Sequence, residues 1–169
     1  VLGTARSAFA REVLTQLYAA RSWQPLWTDK AKALELVASV RDVGRQGLDP
    51  KSYALAEIEP LVEGERGDPR RDALLSRSFV RLAFDLRFGR IPTSGFTAAH
   101  AKTKKLAQGD NAAELAAAIE RGQVHKFLTG LQPPIALYQR LATALERYRK
   151  IAAAGGWKTV AAGAPLQPG

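Results

Sequence analysis

The sequence predicts an all-α fold: a compact multi-helix domain around a central helix at about residues 72–90, with an extended C-terminal tail. Three observations predict it. Alanine is abundant and β-branched residues are sparse, which favours helices. Apolar residues recur at helical spacings in one segment after another. The stretch Asp72–Arg90, DALLSRSFVRLAFDLRFGR, is apolar on two sides, so it needs neighbours on two sides.

The elements follow in chain order. Residues Thr4 to Ala20 carry an apolar line of Phe9, Val13, Leu17 and Ala20. A turn from Ser22 to Trp27 then places two tryptophans around Pro25, and Thr28-Asp29 signals a new helix start. Lys30 to Arg45 is the second helix, with Ala33, Leu36, Val37, Val40 and Val43 inward. Gly47-Leu48-Asp49-Pro50 ends it and restarts the chain, leading through Tyr53 to a short helix over Ala54–Val62 that Pro60 interrupts or shortens. The central helix begins with Asp68 as N-cap and Pro69 at its first position, and stops at Gly89. Leu75, Phe79, Leu82 and Leu86 form one apolar line and Val80, Phe84 and Phe88 a second, with Arg77, Ser78, Arg81 and Asp85 as a polar edge between them.

Ile91 to Gln108 reads as a loop from Pro92, Ser94 and Gly95. Asn111 caps a short helix through Ile119, Gln123–Leu131 forms another, and Pro133-Pro134 opens the last long one. That helix has Leu137, Leu141, Leu145, Tyr148 and Ala152 along one side and ends at Gly155-Gly156. The organisation is therefore a helical domain over residues 1–156 and a tail or linker over 157–169, leading toward downstream domains.

Composition excludes several chemistries. With 169 residues the chain fits one domain and has no apolar run long enough to span a membrane. It has no cysteine, which removes disulfides, thiolate metal sites and cysteine nucleophiles. Its two histidines, His100 and His125, lack ligand spacing. Neither a G-x-S-x-G elbow nor a phosphate-binding glycine loop occurs. Glu57, Glu59, Glu63, Glu65 and Asp68 cluster, but in a Gly- and Pro-punctuated connection, which reads as a solvated loop. No cofactor is called for. The net charge of +9 is uneven: residues 1–85 hold 13 basic and 12 acidic side chains, residues 86–169 hold 12 and 4. An excess confined to one half suits an anionic partner, with Lys102, Lys104, Lys105 and Trp157 as candidate anionic-ligand residues. Trp23 and Trp27 are expected in the core, and Asp85 is expected to pair with an arginine.

Four ordered stretches carry a resemblance. They are Leu17-Tyr18 with Trp23-Gln24-Pro25-Leu26-Trp27; Gly47-Leu48-Asp49-Pro50 with Tyr53; Asp85-Leu86-Arg87 with Gly89-Arg90; and Leu128, Leu131-Gln132-Pro133, Tyr138, Leu141, Leu145 and Tyr148-Arg149, closing on Gly155-Gly156-Trp157. In this order the chain resembles the N-terminal scaffold domain of the long murein L,D-transpeptidases of Gram-negative bacteria. The resemblance marks Trp23, Trp27, Asp49, Tyr53, Asp85, Arg87, Gly89, Arg90, Tyr138, Tyr148 and Arg149 as the structural motif of that domain. It implies a periplasmic, non-catalytic scaffold for peptidoglycan cross-linking. The family's cysteine nucleophile and its peptidoglycan-binding module lie in other domains of the parent chain. A stand-alone basic peptidoglycan-binding module is the alternative, and a helical nucleic-acid binder ranks last because only charge supports it.

Overall fold

A computed structural model describes residues 2–64, 68–90, 111–158 and 163. Among them the helices are α1 (Leu2–Ala19), α2 (Lys30–Asp42), α3 (Leu55–Leu61), α4 (Pro69–Phe88), α5 (Asn111–Glu120), α6 (Val124–Gly130) and α7 (Ala136–Ala153), with no strand. Short 3-10 turns at Val43–Gln46 and Pro50–Tyr53 bridge α2 to α3. The all-α expectation holds. Two units are distinguished by their internal contacts, Val1–Pro134 and Ile135–Gly169.

Three aspartates set the helix starts of the first unit by the same device. Asp29 accepts from the Ala31 amide at 2.8 Å, Asp49 from Lys51 at 3.0 Å and Asp68 from Arg70 at 2.8 Å. Each side chain satisfies an amide that its helix or 3-10 turn leaves without a partner. Pro50 and Pro69 follow their caps directly, where a missing N–H costs nothing. At the other end of α4, Gly89 adopts φ +70 and returns its amide to the Asp85 carbonyl at 3.0 Å. The second helix is shorter than expected: α-geometry ends at Asp42, and the chain tightens through Val43–Gln46 into Gly47 at φ +76.

Helix α4 is the spine of the first unit. Helix α1, the Pro50–Tyr53 turn and helices α2, α3 and α6 all pack on it, and α1 also packs on α5. Leu75, Phe79, Val80 and Leu82 are buried almost completely, together with Leu17 of α1, Leu36 and Val40 of α2, and Trp27. Trp27 meets Phe79 edge-on at 5.7 Å. Phe84 contacts Phe9 at 4.9 Å and stacks on Phe88 at 5.7 Å. The polar edge foreseen on this helix is divided: Ser78 is buried and Asp85 half-buried, whereas Arg77 and Arg81 face solvent.

In the second unit, α7 carries the expected apolar line, but no residue of the helix is buried. Leu137, Leu141 and Tyr148 are each more than half exposed. No helix among the described residues is long and apolar enough to cross a membrane.

Candidate functional site

The densest polar chemistry lies inside the first unit, where α1, the Leu26–Trp27 segment and the start of α4 meet. Asp72 is 4% exposed. One of its carboxylate oxygens accepts from the backbone amides of Leu26 at 2.8 Å and Trp27 at 2.7 Å, and the other from the Tyr18 hydroxyl. Trp27 Nε1 donates to Ser76 Oγ at 2.9 Å, and Ser76 Oγ lies 2.7 Å from the Tyr18 oxygen. Only one proton order fits: indole to Ser76, Ser76 to Tyr18, Tyr18 to Asp72. Beside it Arg71, 1% exposed, donates to the Trp27 carbonyl at 2.5 Å and the Leu61 carbonyl at 2.9 Å. Burial, then the bond to Asp72, push the Tyr18 phenol above its ordinary value of 10.0.

A second tyrosine–aspartate pair lies farther along the same helix. Tyr53, 1% exposed, donates to Asp85 Oδ2 at 2.8 Å. Arg90 Nε approaches the same carboxylate oxygen at 3.6 Å, and Arg90 also donates to Ser52 Oγ at 3.2 Å. Ser78 donates to the Tyr53 carbonyl at 2.7 Å. Burial, followed by the adjacent carboxylate, raises the Tyr53 phenol above 10.0. One turn away, Arg87 forks to Asn111 Oδ1 at 2.8 Å and Glu114 Oε2 at 2.5 Å, tying α4 to α5.

The Asp72 carboxylate is committed to the fold and is not open to a substrate. Each Asp72 oxygen is already engaged by donors, and the carboxylate has almost no contact with solvent. A hollow lined by Ala83, Phe84, Arg87, Asn111 and Leu115, among others, holds about 10 Å³, room for about one water molecule. No group of metal-ligating side chains occurs among the described residues. The acidic cluster is spread over caps and pairs: Glu59 with Arg41, Glu63 with Lys30 at 2.5 Å, and Asp68 on its helix. His125 Nδ1 contacts Ser39 Oγ at 3.0 Å, while Glu35 holds the His125 backbone amide rather than its ring.

The sequence-derived motif is thus brought together in part. Trp27, Tyr53, Asp85, Gly89 and Arg90 are gathered along α4, Arg87 links α4 to α5, and Asp49 caps the turn that delivers Tyr53. Trp23 corrects the expectation of a core role: it is 67% exposed. The reason is the end of α1, where the Ser22 amide returns to the Ala19 carbonyl and the Trp23 amide to the Tyr18 carbonyl. With φ +52 at Ser22 and +60 at Trp23, the indole turns outward and lies parallel to the Tyr18 ring at 6.2 Å. Tyr138, Tyr148 and Arg149 lie on α7 in the other unit, and Trp157 reaches Tyr148 at 5.7 Å with both rings exposed. Lys102, Lys104, Lys105 and His100 lie outside the described residues.

Sequence reasoning missed Tyr18, Asp72 and Ser76 as a unit. A signal existed. Asp72 precedes Leu75 by three positions and so continues the line Leu75, Phe79, Leu82 and Leu86 by one more turn. A carboxylate at a core position needs buried donors.

The family model described as "Scaffold domain" matches residues 12–145. The Haemophilus influenzae protein named "Putative L,D-transpeptidase" is 26% identical over 139 residues, 82% of this chain. The chain spans 28% of the length of that relative. No solved structure matches. The match covers α4 and both tyrosine–aspartate pairs, and the chain belongs to the scaffold-domain family of L,D-transpeptidases.

Proposed function

We propose that this chain is the non-catalytic scaffold of a periplasmic L,D-transpeptidase and positions the catalytic and peptidoglycan-binding domains of the parent protein during peptidoglycan cross-linking. The observation that carries this reading is the family match over residues 12–145, which includes the whole of the α4 spine and its two carboxylate junctions. A positioning role needs a body that does not yield. Hydrogen-bonded carboxylates near both ends of one helix, Asp72 buried and Asp85 half-buried, suit that need, because each resists displacement of the element that donates to it. The catalytic cysteine of such an enzyme belongs to another domain, and this chain contains none. The direct test is to incubate the isolated chain with donor and acceptor stem peptides under conditions in which the full parent forms cross-links. No product is expected from the isolated chain, and cross-links formed by it alone refute the proposal.

A second reading rests on a separate observation. Tyr148 and Trp157 form an exposed aromatic pair flanked in sequence by Arg149, Lys150 and Lys158, a combination that suits an anionic glycan. Under this reading the chain also contacts peptidoglycan. Sedimentation with purified sacculi checks it: retention at low salt that Tyr148→Ala and Trp157→Ala abolish supports it, and no retention removes it.

A further inference from the structure

The acidic side chains of the first unit are largely committed. Asp29, Asp49 and Asp68 cap helices or turns, Asp72 and Asp85 are held by tyrosines, and Glu59, Glu63, Glu114 and Glu120 face Arg41, Lys30, Arg87 and Arg21. Part of the basic charge left over is aligned, while Arg11, Lys51, Arg121 and Lys126 lie on other elements. The solvent-facing positions of α4 that share one line are Arg70, Ala73, Arg77 and Arg81. Among the described residues, no carboxylate oxygen lies within 4.0 Å of the side-chain nitrogens of these three arginines. Arg70 also sits in the first turn of the helix, the end where a positive charge is least favoured. Residues 1–85, nearly neutral by count, therefore present a basic stripe on the most central helix.

We propose that Arg70, Arg77 and Arg81 form a docking line for an extended acidic peptide. The proposal does not depend on the scaffold reading. Arg77 and Arg81 are separated by about 6 Å along the helix axis, and Arg70 lies about 10 Å before Arg77. Alternate side chains of an extended peptide project on one side every ~6.7 Å. Carboxylates at alternate positions thus come into register with Arg77 and Arg81, and planar guanidinium groups bind carboxylates in forked pairs. The line is narrow, because α4 positions beside its members, such as Arg71, Ser78 and Leu82, are buried. A narrow stripe suits a strand better than a flat lipid surface. Single-stranded nucleic acid would use stacking rings as well. The rings that continue the line, Phe84 and Phe88, are half-buried and engaged with Phe9 and each other.

The test is fluorescence anisotropy of a fluorescein-labelled octapeptide of alternating aspartate and serine, titrated with the 169-residue chain at low ionic strength. Binding should weaken as salt rises. It should fall by about tenfold or more in R77E/R81E, and less in R77Q/R81Q, while R140E in the other unit leaves it nearly unchanged. Thermal unfolding confirms that each variant is folded; should the double Glu variant fail that check, R77Q/R81Q carries the test. Absence of peptide binding overturns the proposal. So does equal weakening by R140E, which would trace the affinity to net charge. Arginine-dependent binding of inorganic polyphosphate or anionic phospholipid vesicles without binding of the peptide overturns it in favour of those ligands.

Discussion

The Tyr18 hydroxyl donates to the Asp72 carboxylate, which also receives the amides of Leu26 and Trp27. One buried group thereby fastens the end of α1 and the segment before α2 to the start of α4. Removing it leaves several donors without an acceptor. Asp72→Ala should cost about 3 kcal/mol or more, and Asp72→Asn less, since the amide oxygen still accepts. Urea unfolding of the two variants checks the order; equal stability with the native chain would show that the junction is not a structural one.

Tyr18 and Asp72 should be coupled. Tyr18→Phe removes the donor and leaves one carboxylate oxygen and the Ser76 hydroxyl without their partner, at a cost of about 1–2 kcal/mol. The double variant Tyr18→Phe, Asp72→Asn should be less destabilised than the sum of the singles. A double-mutant cycle measures the difference, expected at about 0.5–3 kcal/mol for groups in one network.

The two tyrosines set an alkaline limit. Both phenols are raised above 10.0 in the folded chain, so near that pH the unfolded chain releases protons that the native chain keeps. The unfolded state then binds fewer protons, and stability falls as pH rises above about 10. The contribution is fully present below that value. Tyr18→Phe and Tyr53→Phe should each flatten the alkaline decline. Chemical denaturation between pH 8 and pH 11 tests this; an unchanged slope in both variants counts against it.

The two tryptophans of the Ser22–Trp27 turn should behave differently. Trp27 is fully buried against Phe79, and Trp27→Ala should cost about 3–5 kcal/mol. Trp23 is largely exposed, and Trp23→Ala should cost about 1 kcal/mol or less. Thermal unfolding of the pair distinguishes them. A large loss for Trp23→Ala would place its ring against a surface that the Tyr18 contact does not account for.

Much of this was legible in the sequence, for identifiable reasons. The span of α4 follows from its apolar periodicity, from Asp68-Pro69 at one end and from Gly89 at the other, all local signals. An arginine partner for Asp85 is also expected from the sequence, and that partner is Arg90, five positions along the chain past the helix end. Tyr18 to Asp72 is not local, and nothing near either residue announces the other. The outward turn of Trp23 was illegible for another reason. It depends on Ser22 taking a left-handed backbone conformation that sequence normally reserves for glycine. The side of α7 that reads as a core line is present as a pattern, but periodicity alone does not say whether a partner covers it.

The central claim is that this domain positions the others. Its most direct measurement is cross-link formation by the full parent protein in which residues 1–169 are replaced by a flexible Gly/Ser linker, with the fold of the remaining domains verified by circular dichroism. The account predicts that cross-linking of stem peptides falls well below that of the intact parent while the catalytic domain stays folded. Cross-linking at the intact rate by the linker variant would contradict it.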